Sequence, residues 1–391
     1  MRLSPRHQCS GCAACCAVCP ASAIVMRADH EGFNYPEIDS GKCTNCGYCG
    51  QACPILHTND SHEPLVVYAV KNKDEAVRQQ SSSGGMFTLL AQWVMERGGI
   101  VYGAGWSTDW CVVHKGVENE HALAEIRGAK YVQSEIGDIF RQVKEQLDSG
   151  RKVLFSGCPC QIAGLRSFLV TLGVSLPITN AQLLLVDLIC HAVSSPKVFR
   201  LYREEIEKKH HAKTKGIFFR HKMYGWKKYS LSFVFANAKA YLSPLNQDFY
   251  LRGFLSELYN RPSCSVCSWR NLVSGSDITI ADYWRVHKKF PTFDDDKGVS
   301  LVMANSLAGL HVLQDILPVC EYVQADFSDV KATNPAVWRL FPPNRKRKKF
   351  FNKLGKENIE ILIEQMLKPS LYGRLRMLAG CIKQILLGRI K

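Results

Sequence analysis

A cysteine motif that occurs twice near the start of the chain constrains this sequence more than any other feature. The pattern C-x-x-C-x-x-C-x-x-x-C-P spans residues 9–20 and again residues 43–54, so each of its cysteines recurs 34 positions later. Three closely spaced cysteines on one loop can hold one part of a [4Fe–4S] cube, while the fourth, before proline, points toward a neighbouring cube. The spacing therefore predicts two [4Fe–4S] clusters within residues 1–58.

The repeat predicts that the two halves exchange one ligand each. One cluster takes Cys9, Cys12, Cys15 and Cys53, and the other takes Cys43, Cys46, Cys49 and Cys19. Cys16 is surplus: it could replace Cys15 if the loop shifted by one residue, and the alternative is a buried free thiol. Zinc is the main rival metal, because C-x-x-C pairs also form zinc sites. Zinc usually takes two such pairs, however, whereas here a third cysteine and the Cys-Pro step recur at identical spacing.

Cysteine usage and charge limit the remaining function classes. Nine of the 17 cysteines lie in the first 53 of 391 residues, and a reducing cytoplasm favours cluster ligation over disulfides for such a chain. The absence of a secretory apolar stretch and of long apolar runs also predicts a cytoplasmic protein. The net charge of +15 is uneven, because residues 339–391 carry 14 Lys or Arg and three Glu. The body is near neutral, so the overall charge does not indicate nucleic-acid binding.

The pattern changes beyond a polar linker at residues 57–64, where apolar segments begin to alternate between strand and helix periods. Strands are predicted at 65–70, 100–106, 152–155, 183–189, 277–281 and 299–304, a hairpin at 217–235, and helices at 86–97, 136–149, 160–169 and 196–210. This alternation indicates an α/β body, or an α+β variant of it. Residues 1–58 lack long apolar runs, so we expect clusters rather than a core to hold them together.

Two groups of residues in the body suggest further cofactors. The turn formed by Ser82, Ser83, Gly84 and Gly85 opens a helix, where backbone N–H groups and the helix dipole favour a flavin or nucleotide phosphate. An ordinary N-cap turn is the alternative. Four separated cysteines, namely Cys160, Cys190, Cys264 and Cys267, are enough thiols for a third cluster, although a buried cysteine is more often a small apolar residue.

Several segments in this order resemble a known family. They are the SGCPCQIAGL run at 156–165, the LICHAV run at 188–193, the C-x-x-C at 264–267 and the DITIADYW run at 277–284. They are similar to the beta-subunit family of the deazaflavin (coenzyme F420) hydrogenases and dehydrogenases, and residues 1–58 resemble bacterial-type dicluster ferredoxins. The family resemblance implies an FAD-binding body and a [4Fe–4S] cluster on Cys160, Cys190, Cys264 and Cys267, with Cys158 competing with Cys160 for one position. Segments 81–87 and 128–134 also look like family segments, which makes Lys130, Tyr131, Gln133 and Ser134 candidate contacts for flavin or substrate; an ordinary surface loop is the alternative.

The sequence as a whole predicts an iron–sulfur flavoprotein oxidoreductase that moves electrons between its clusters and FAD. The expected domains are a dicluster ferredoxin domain (1–58), the two parts of an α/β flavin-binding body (65–130 and 131–338) and a basic helical tail (339–391). Expected partners are a redox protein or reduced coenzyme and an unidentified organic substrate, in a setting such as surface-polysaccharide biosynthesis. A non-catalytic electron-relay subunit is the alternative. The tail, with an apolar stripe from Leu371 to Ile385, suggests contact with the inner face of a membrane, and packing on its own domain is the competing explanation.

Overall fold

The fold is built on an eight-stranded mixed sheet, seen in a computed structural model that describes residues 3–57, 60–177 and 181–368. Its helices and strands follow in chain order. The strands are β1 Ile24–Ala28, β2 Asn34–Ile38, β3 Val66–Asn72, β4 Ile100–Trp106, β5 Val112–Val117, β6 Val153–Gly157, β7 Leu183–Leu188, β8 Thr214–His221, β9 Ser230–Phe235, β10 Ala240–Pro244, β11 Ile278–Asp282, β12 Ser300–Ala304 and β13 Cys320–Ala325. The helices are α1 Ala14–Ala17, α2 Tyr48–Gln51, α3 Glu75–Gln80, α4 Met86–Met95, α5 Glu120–Ile126, α6 Ile139–Asp148, α7 Pro159–Thr171, α8 Pro196–His210, α9 Phe249–Leu255, α10 Val286–Lys289, α11 Leu307–Ile316, α12 Phe327–Thr333, α13 Arg347–Lys353 and α14 Ile359–Leu367.

The large sheet has a parallel centre and antiparallel margins. Its strand order is β13-β3-β12-β11-β7-β6-β4-β5, with β4, β6, β7 and β11 parallel to one another. Alternate residues of the central strands are buried on opposite faces: Leu154 packs toward α4 and α11, and Phe155 packs toward α6 and α7. Because both faces are covered, these strands read as continuous apolar runs, which is why the sequence revealed them.

A smaller antiparallel sheet, in the order β10-β9-β8, forms a second core with α8, α9 and α14. This core also buries Phe350 of α13 and Leu362 of α14. Residues 339–368, expected to begin a separate tail, are therefore a packed layer of the body. The apolar stripe from Leu371 to Ile385 lies outside the described residues. No helix in the described ranges is long and apolar enough to cross a bilayer.

The N-terminal segment repeats its backbone as well as its sequence. Helices α1 and α2 begin at Ala14 and Tyr48, 34 positions apart. The left-handed residues Gly11 and Ala13 of the first loop have counterparts at Asn45 and Gly47 of the second. The motif thus fixes the same cysteine-bearing turn twice.

This segment shares a core with the body. Ala14, Ala17 and Val18 are buried in one apolar cluster with Phe140 of α6 and Leu165 of α7. The expectation that clusters rather than a core hold residues 1–58 together is therefore wrong in this respect. The small alanine side chains of α1 permit close helix packing against α7.

Candidate functional site

The structure brings together the thiols of the first predicted set, three from the first half of the motif and Cys53 from the second. Cys12 and Cys15 lie close enough to Cys9 and Cys53 to repel their charged forms. Burial first, and this repulsion second, raises the pKa of Cys12 to about 12 and also raises the pKa of Cys15. Four thiols gathered in one place suit a metal cluster, which would displace their protons on binding.

The second set is more open to solvent. Cys49 lies near Cys46 and Cys19, the cysteine that the crossed arrangement predicts from the other half. Cys46 is exposed, whereas Cys49 is buried. Backbone and side-chain hydrogen bonds from Tyr48 and Thr44 lower the pKa of Cys46. One side of this set therefore faces the protein surface.

Cys16 is placed differently from its neighbours. Its Sγ donates to the carbonyl oxygen of Ile24 at 3.0 Å. Burial raises the pKa of this thiol, and the charge on Arg141 opposes that shift. Cys16 packs with the apolar cluster beneath α7. This position supports the interpretation of a partly buried structural thiol.

The four cysteines of the body that are predicted to hold a third cluster come together around a small cavity of about 50 Å³. Its wall contains all four candidates for a third cluster, namely Cys160, Cys190, Cys264 and Cys267. Burial raises the pKa of Cys264 to about 12 and raises the pKa of Cys160 and Cys267 as well. The buried Nε1 of Trp269, in the same wall, has no hydrogen-bond partner among the described residues. An unpaired N–H donor beside four thiols suits the sulfur atoms of a cluster.

Cys158 lies beside this group without lining the small cavity. Its thiol is hydrogen-bonded to that of Cys190, which lowers the pKa of Cys190 and raises that of Cys158. In the described part of the chain, no three or more His, Cys, Asp or Glu side chains are arranged to hold a single metal ion. Because Cys160 lines the small cavity and Cys158 does not, their positions favour Cys160 as the fourth member of the set.

A larger cavity of about 570 Å³ opens on the other side of Cys160 and Cys190. It lies at the carboxyl ends of the parallel strands, where its wall includes Ala104 of β4, Gly157 of β6 and Leu188 of β7. Helices α4 and α7 follow strands that run in this direction, so the N-termini of both helices reach the same edge. Open α/β sheets bind ligands at this edge, and the volume is in the range of cofactor sites.

Most of the predicted flavin contacts meet in this larger cavity. The residues in its wall are Ser82, Ser83, Gly85, Lys130, Tyr131, Gln133 and Ser134. Gly84 lies elsewhere: a Cβ there would be 2.3 Å from the carbonyl oxygen of Val70, so this glycine allows the turn to pack directly on β3. The Ser82 hydroxyl accepts the N–H of Ala129 at 2.7 Å. The Ser83 hydroxyl instead donates to the carbonyl oxygen of Val299 at 2.8 Å.

A neutral hydrogen-bond chain fixes the wall next to Cys158. The Gln161 side chain accepts the N–H of Cys158 at 2.9 Å and donates to the Ser134 hydroxyl at 2.9 Å. His114 accepts from Ser134 at 3.0 Å and donates to the carbonyl oxygen of Ser156 at 3.0 Å. Burial lowers the pKa of His114 to about 4, so the ring is neutral and this direction of donation is maintained. No motif or spacing in the sequence pointed to His114.

Lys130 supplies positive charge to the cavity. Its ammonium donates to the carbonyl oxygens of Arg127 and Gly128 at 3.1 and 3.2 Å, and no ion pair to it occurs among the described residues. Burial, with weaker repulsion from Lys115, lowers the pKa of Lys130 to about 7. A cation without a carboxylate partner in a cavity wall is an anion-binding group.

Arg220 forms the opposite wall and was missed by the sequence analysis. Its guanidinium binds both carboxylate oxygens of Asp282 at 2.9 Å and donates to the Tyr131 hydroxyl at 3.0 Å. It also lies 4.0 Å from the ring centroid of Tyr229 and 5.1 Å from that of Trp284. The one available signal was an arginine inside the apolar β8 sequence IFFRH, whereas Asp282 belonged to a motif already noted.

Two family models match the chain, and they fall on the two regions that carry these sites. Residues 8–55 match the 4Fe-4S dicluster domain, and residues 150–328 match the C-terminal region of the coenzyme F420 hydrogenase/dehydrogenase beta-subunit family. The resemblance found in the motifs is confirmed. The region that matches the F420 hydrogenase/dehydrogenase model contains all four thiols of the small cavity.

Individual relatives cover shorter parts of the chain. One protein of the Na(+)-translocating ferredoxin:NAD(+) oxidoreductase complex of Acetobacterium woodii is 47% identical over 49 residues, which are 12% of this chain and 14% of that protein. One subunit of the F(420)H(2) dehydrogenase of Methanosarcina mazei is 25% identical over 174 residues, 40% of this chain and 47% of that protein. The matches thus span less than half of either relative. A chain of the F420-reducing [NiFe] hydrogenase complex from Methanosarcina barkeri is 16% identical with a TM-score of 0.47, over 76% of this chain and 94% of that one.

Proposed function

We propose that this protein is an iron–sulfur flavin-dependent oxidoreductase in which three [4Fe–4S] clusters lead from the protein surface to FAD. The observation that carries the proposal is the order of the thiol sets. Helices α1 and α2, which carry Cys15 and Cys49 of the two ferredoxin sets, pack together. Cys46 of the second set is exposed, and Cys12 of the first set lies close enough to Cys160 for their thiolates to repel each other. Cys160 and Cys190 then line both the small and the large cavity.

The large cavity fits a flavin nucleotide in charge as well as in size. The charged groups in its wall are Arg127, Lys130, Arg220 and Asp282, so positive charge exceeds negative charge before a ligand binds. The N-terminus of α4 and the Ser82 hydroxyl lie in the same wall, and helix N-termini bind phosphate. We infer that Ser82, Lys130 and the first turn of α4 hold the pyrophosphate. Tyr131, stacked on Phe254 with ring centroids 5.0 Å apart, provides a flat apolar surface for the ring system.

Bound FAD would couple single-electron transfer to two-electron chemistry, which amino acid side chains alone cannot do. The protein's own residues position the site. Arg220 and Asp282 fix the Tyr131 hydroxyl, and the chain from Gln161 to His114 fixes the turn that carries Cys158 and Cys160. Since the chain from Gln161 to His114 is neutral, it holds this turn in place without competing for an anionic ligand.

A non-catalytic electron relay is the second candidate. The observation in its favour is the extent of the matches: the two curated relatives share less than half of their length with this chain, and both are subunits of larger assemblies. A relay needs the three thiol sets but makes no use of the large cavity. Bound flavin therefore separates the two candidates.

The test is cofactor content after anaerobic purification and reconstitution of the full chain. We expect about twelve irons, because three [4Fe–4S] clusters hold four each, and FAD near one per chain. Clusters without flavin after gentle purification would favour the relay. A colourless protein containing one or two zinc ions would contradict both candidates.

The binding of FAD should weaken as the pH rises through 7. Lys130 is protonated below its pKa of about 7 and loses its charge above it, so the pyrophosphate loses a charged hydrogen-bond donor. We expect the dissociation constant of FAD to rise about tenfold from pH 6 to pH 8, the size of one charged hydrogen bond. Fluorescence titration of the iron-loaded protein measures this dependence.

The variant Lys130→Met should bind FAD weakly and equally across this pH range. Lys144→Met is the matched control, because Lys144 pairs with Asp148 on α6 outside the cavity. It should keep the wild-type pH dependence. A wild-type protein whose FAD affinity does not change with pH would contradict the assignment of Lys130 to the pyrophosphate.

A further inference from the structure

Arg261 is a buried cation located between two of the thiol sets. Its side chain is 1% exposed, although arginine is almost never fully buried without a charged partner. It lies in the wall of the small cavity, and its carbonyl oxygen accepts the N–H of Cys264 at 3.0 Å. The first cysteine loop, residues 9–12, contacts the guanidinium of Arg261. Arg261 therefore contacts a region that the ferredoxin segment and the body share.

Each nitrogen of the guanidinium donates a hydrogen bond to a neutral group. Nε donates to the carbonyl oxygen of Cys9 at 2.8 Å, Nη1 to Oε1 of Gln133 at 2.7 Å and Nη2 to the carbonyl oxygen of Asn34 at 2.9 Å. Nη2 is also 4.0 Å from Sγ of Cys9. The rings of Phe33 and Tyr35 lie 5.4 and 4.4 Å from the guanidinium carbon. These contacts leave its charge uncompensated by any carboxylate of the described residues.

The loop that carries Cys9 is shaped to receive this side chain. Gly11 has φ +71°, and a Cβ there would lie 2.8 Å from Nη1 of Arg261 and 2.9 Å from Nε2 of Gln133. Gln133 in turn donates to the carbonyl oxygen of Ser10 at 2.9 Å. Gln133 also lines the large cavity. Arg261 and Gln133 thus hold the first loop of the ferredoxin segment against both cavities.

We propose that Arg261 is the counter-cation of the first cluster and raises its reduction potential. The inference rests on the proposed function, because the negative partner is the cluster that Cys9, Cys12, Cys15 and Cys53 would hold. Four thiolates make such a cluster a net anion, and net charge, hydrogen bonds and burial set its potential. Accepting one electron adds a further negative charge, which a desolvated cation close to Sγ of Cys9 stabilises more than a solvated one would.

The experiment compares Arg261→Met and Arg261→Lys in the reconstituted full-length protein. Dithionite titrations followed by electron paramagnetic resonance give the midpoint potentials, and iron analysis gives cluster content. We expect Arg261→Met to make one cluster about tenfold harder to reduce, equivalent to ~59 mV for a one-electron couple. Arg261→Lys keeps the charge and should recover most of that difference.

Arg141→Met is the matched control. Arg141 also donates to carbonyl oxygens of the first half of the motif, those of Cys16 and Ala17, but its side chain is 39% exposed and pairs with Asp138. Solvent and the carboxylate screen its charge, so all potentials should stay at wild-type values. Comparing Arg261→Met with Arg141→Met therefore separates the effect of a buried charge from the effect of hydrogen bonds to the first half of the motif.

Some outcomes would overturn only the inference about Arg261, and one would also overturn the proposed function. Wild-type potentials and iron in Arg261→Met would overturn the inference alone. If Arg261→Met loses the iron of one cluster, retention in Arg261→Lys supports the charge, and loss in both variants overturns it in favour of a shape requirement. A wild-type protein without any cluster signal would overturn the proposed function and the inference together.

Discussion

Replacing Cys160 by alanine is expected to remove one third of the iron from the protein. The remaining thiols of the small cavity, on Cys190, Cys264 and Cys267, cannot complete four ligands, so the content should fall from about twelve irons to about eight. The two clusters of residues 8–55 do not use Cys160 and should remain. Iron and sulfide analysis of anaerobically reconstituted protein, with the loss of one spectroscopic signal, measures the effect.

The matched variant is Cys158→Ala, two residues away. Cys158 lines the large cavity and not the small one, so its removal should leave the iron content unchanged. Its backbone N–H still bonds to Gln161, which preserves the start of α7. The opposite pattern, with iron lost from Cys158→Ala and kept in Cys160→Ala, would reverse the assignment of the ligand.

Replacing Asp282 by alanine should destabilise the protein by about 3–5 kcal/mol, the usual cost of leaving a buried charge without its partner. Asp282 accepts two hydrogen bonds from Arg220 and one from Nε1 of Trp226 at 2.8 Å. The Arg220 side chain is only 4% exposed, so water cannot replace the lost carboxylate. Urea unfolding of the iron-loaded protein, followed by tryptophan fluorescence, measures the change in midpoint.

Asp148→Ala provides the comparison for this effect. Asp148 pairs with Lys144 one turn away on α6 and is 60% exposed, so its loss should change stability by less than ~0.5 kcal/mol. A double variant, Arg220→Leu with Asp282→Leu, should recover part of the stability because no charge is left buried. Equal midpoints for Asp282→Ala and Asp148→Ala would show that Arg220 is not desolvated.

The local elements were predictable because their signals lie within short stretches of sequence. Helix Pro196–His210 has proline at its first position, and strand Ile100–Trp106 is a continuous apolar run, and the structure contains both within the predicted bounds. Strands β1, β2, β5, β10 and β13 were missed. They lie at the margins of their sheets, where one side is exposed and the apolar pattern is weak.

The residues of the candidate site also fall into those that the sequence could identify and those that it could not. Cysteines can be recognised as candidate cluster ligands from their residue type and spacing, so all three thiol sets could be proposed from the sequence. Arg220, His114 and Arg261 could not, because their importance comes from partners 62, 42 and 252 positions away along the chain. A single sequence shows an arginine and an aspartate but not that folding will desolvate them together.

The contact between α1 and α7 affects how this protein could be re-engineered. A Cβ on Gly164 of α7 would lie 2.9 Å from the Cβ of Cys12 and 3.0 Å from its sulfur. A foreign ferredoxin module, spliced on at residues 57–64, would have to present an equally slim surface at this point. Exchanging the ferredoxin-like segment would therefore mean redesigning the face of α7 that contacts it, since the two halves share this packed interface.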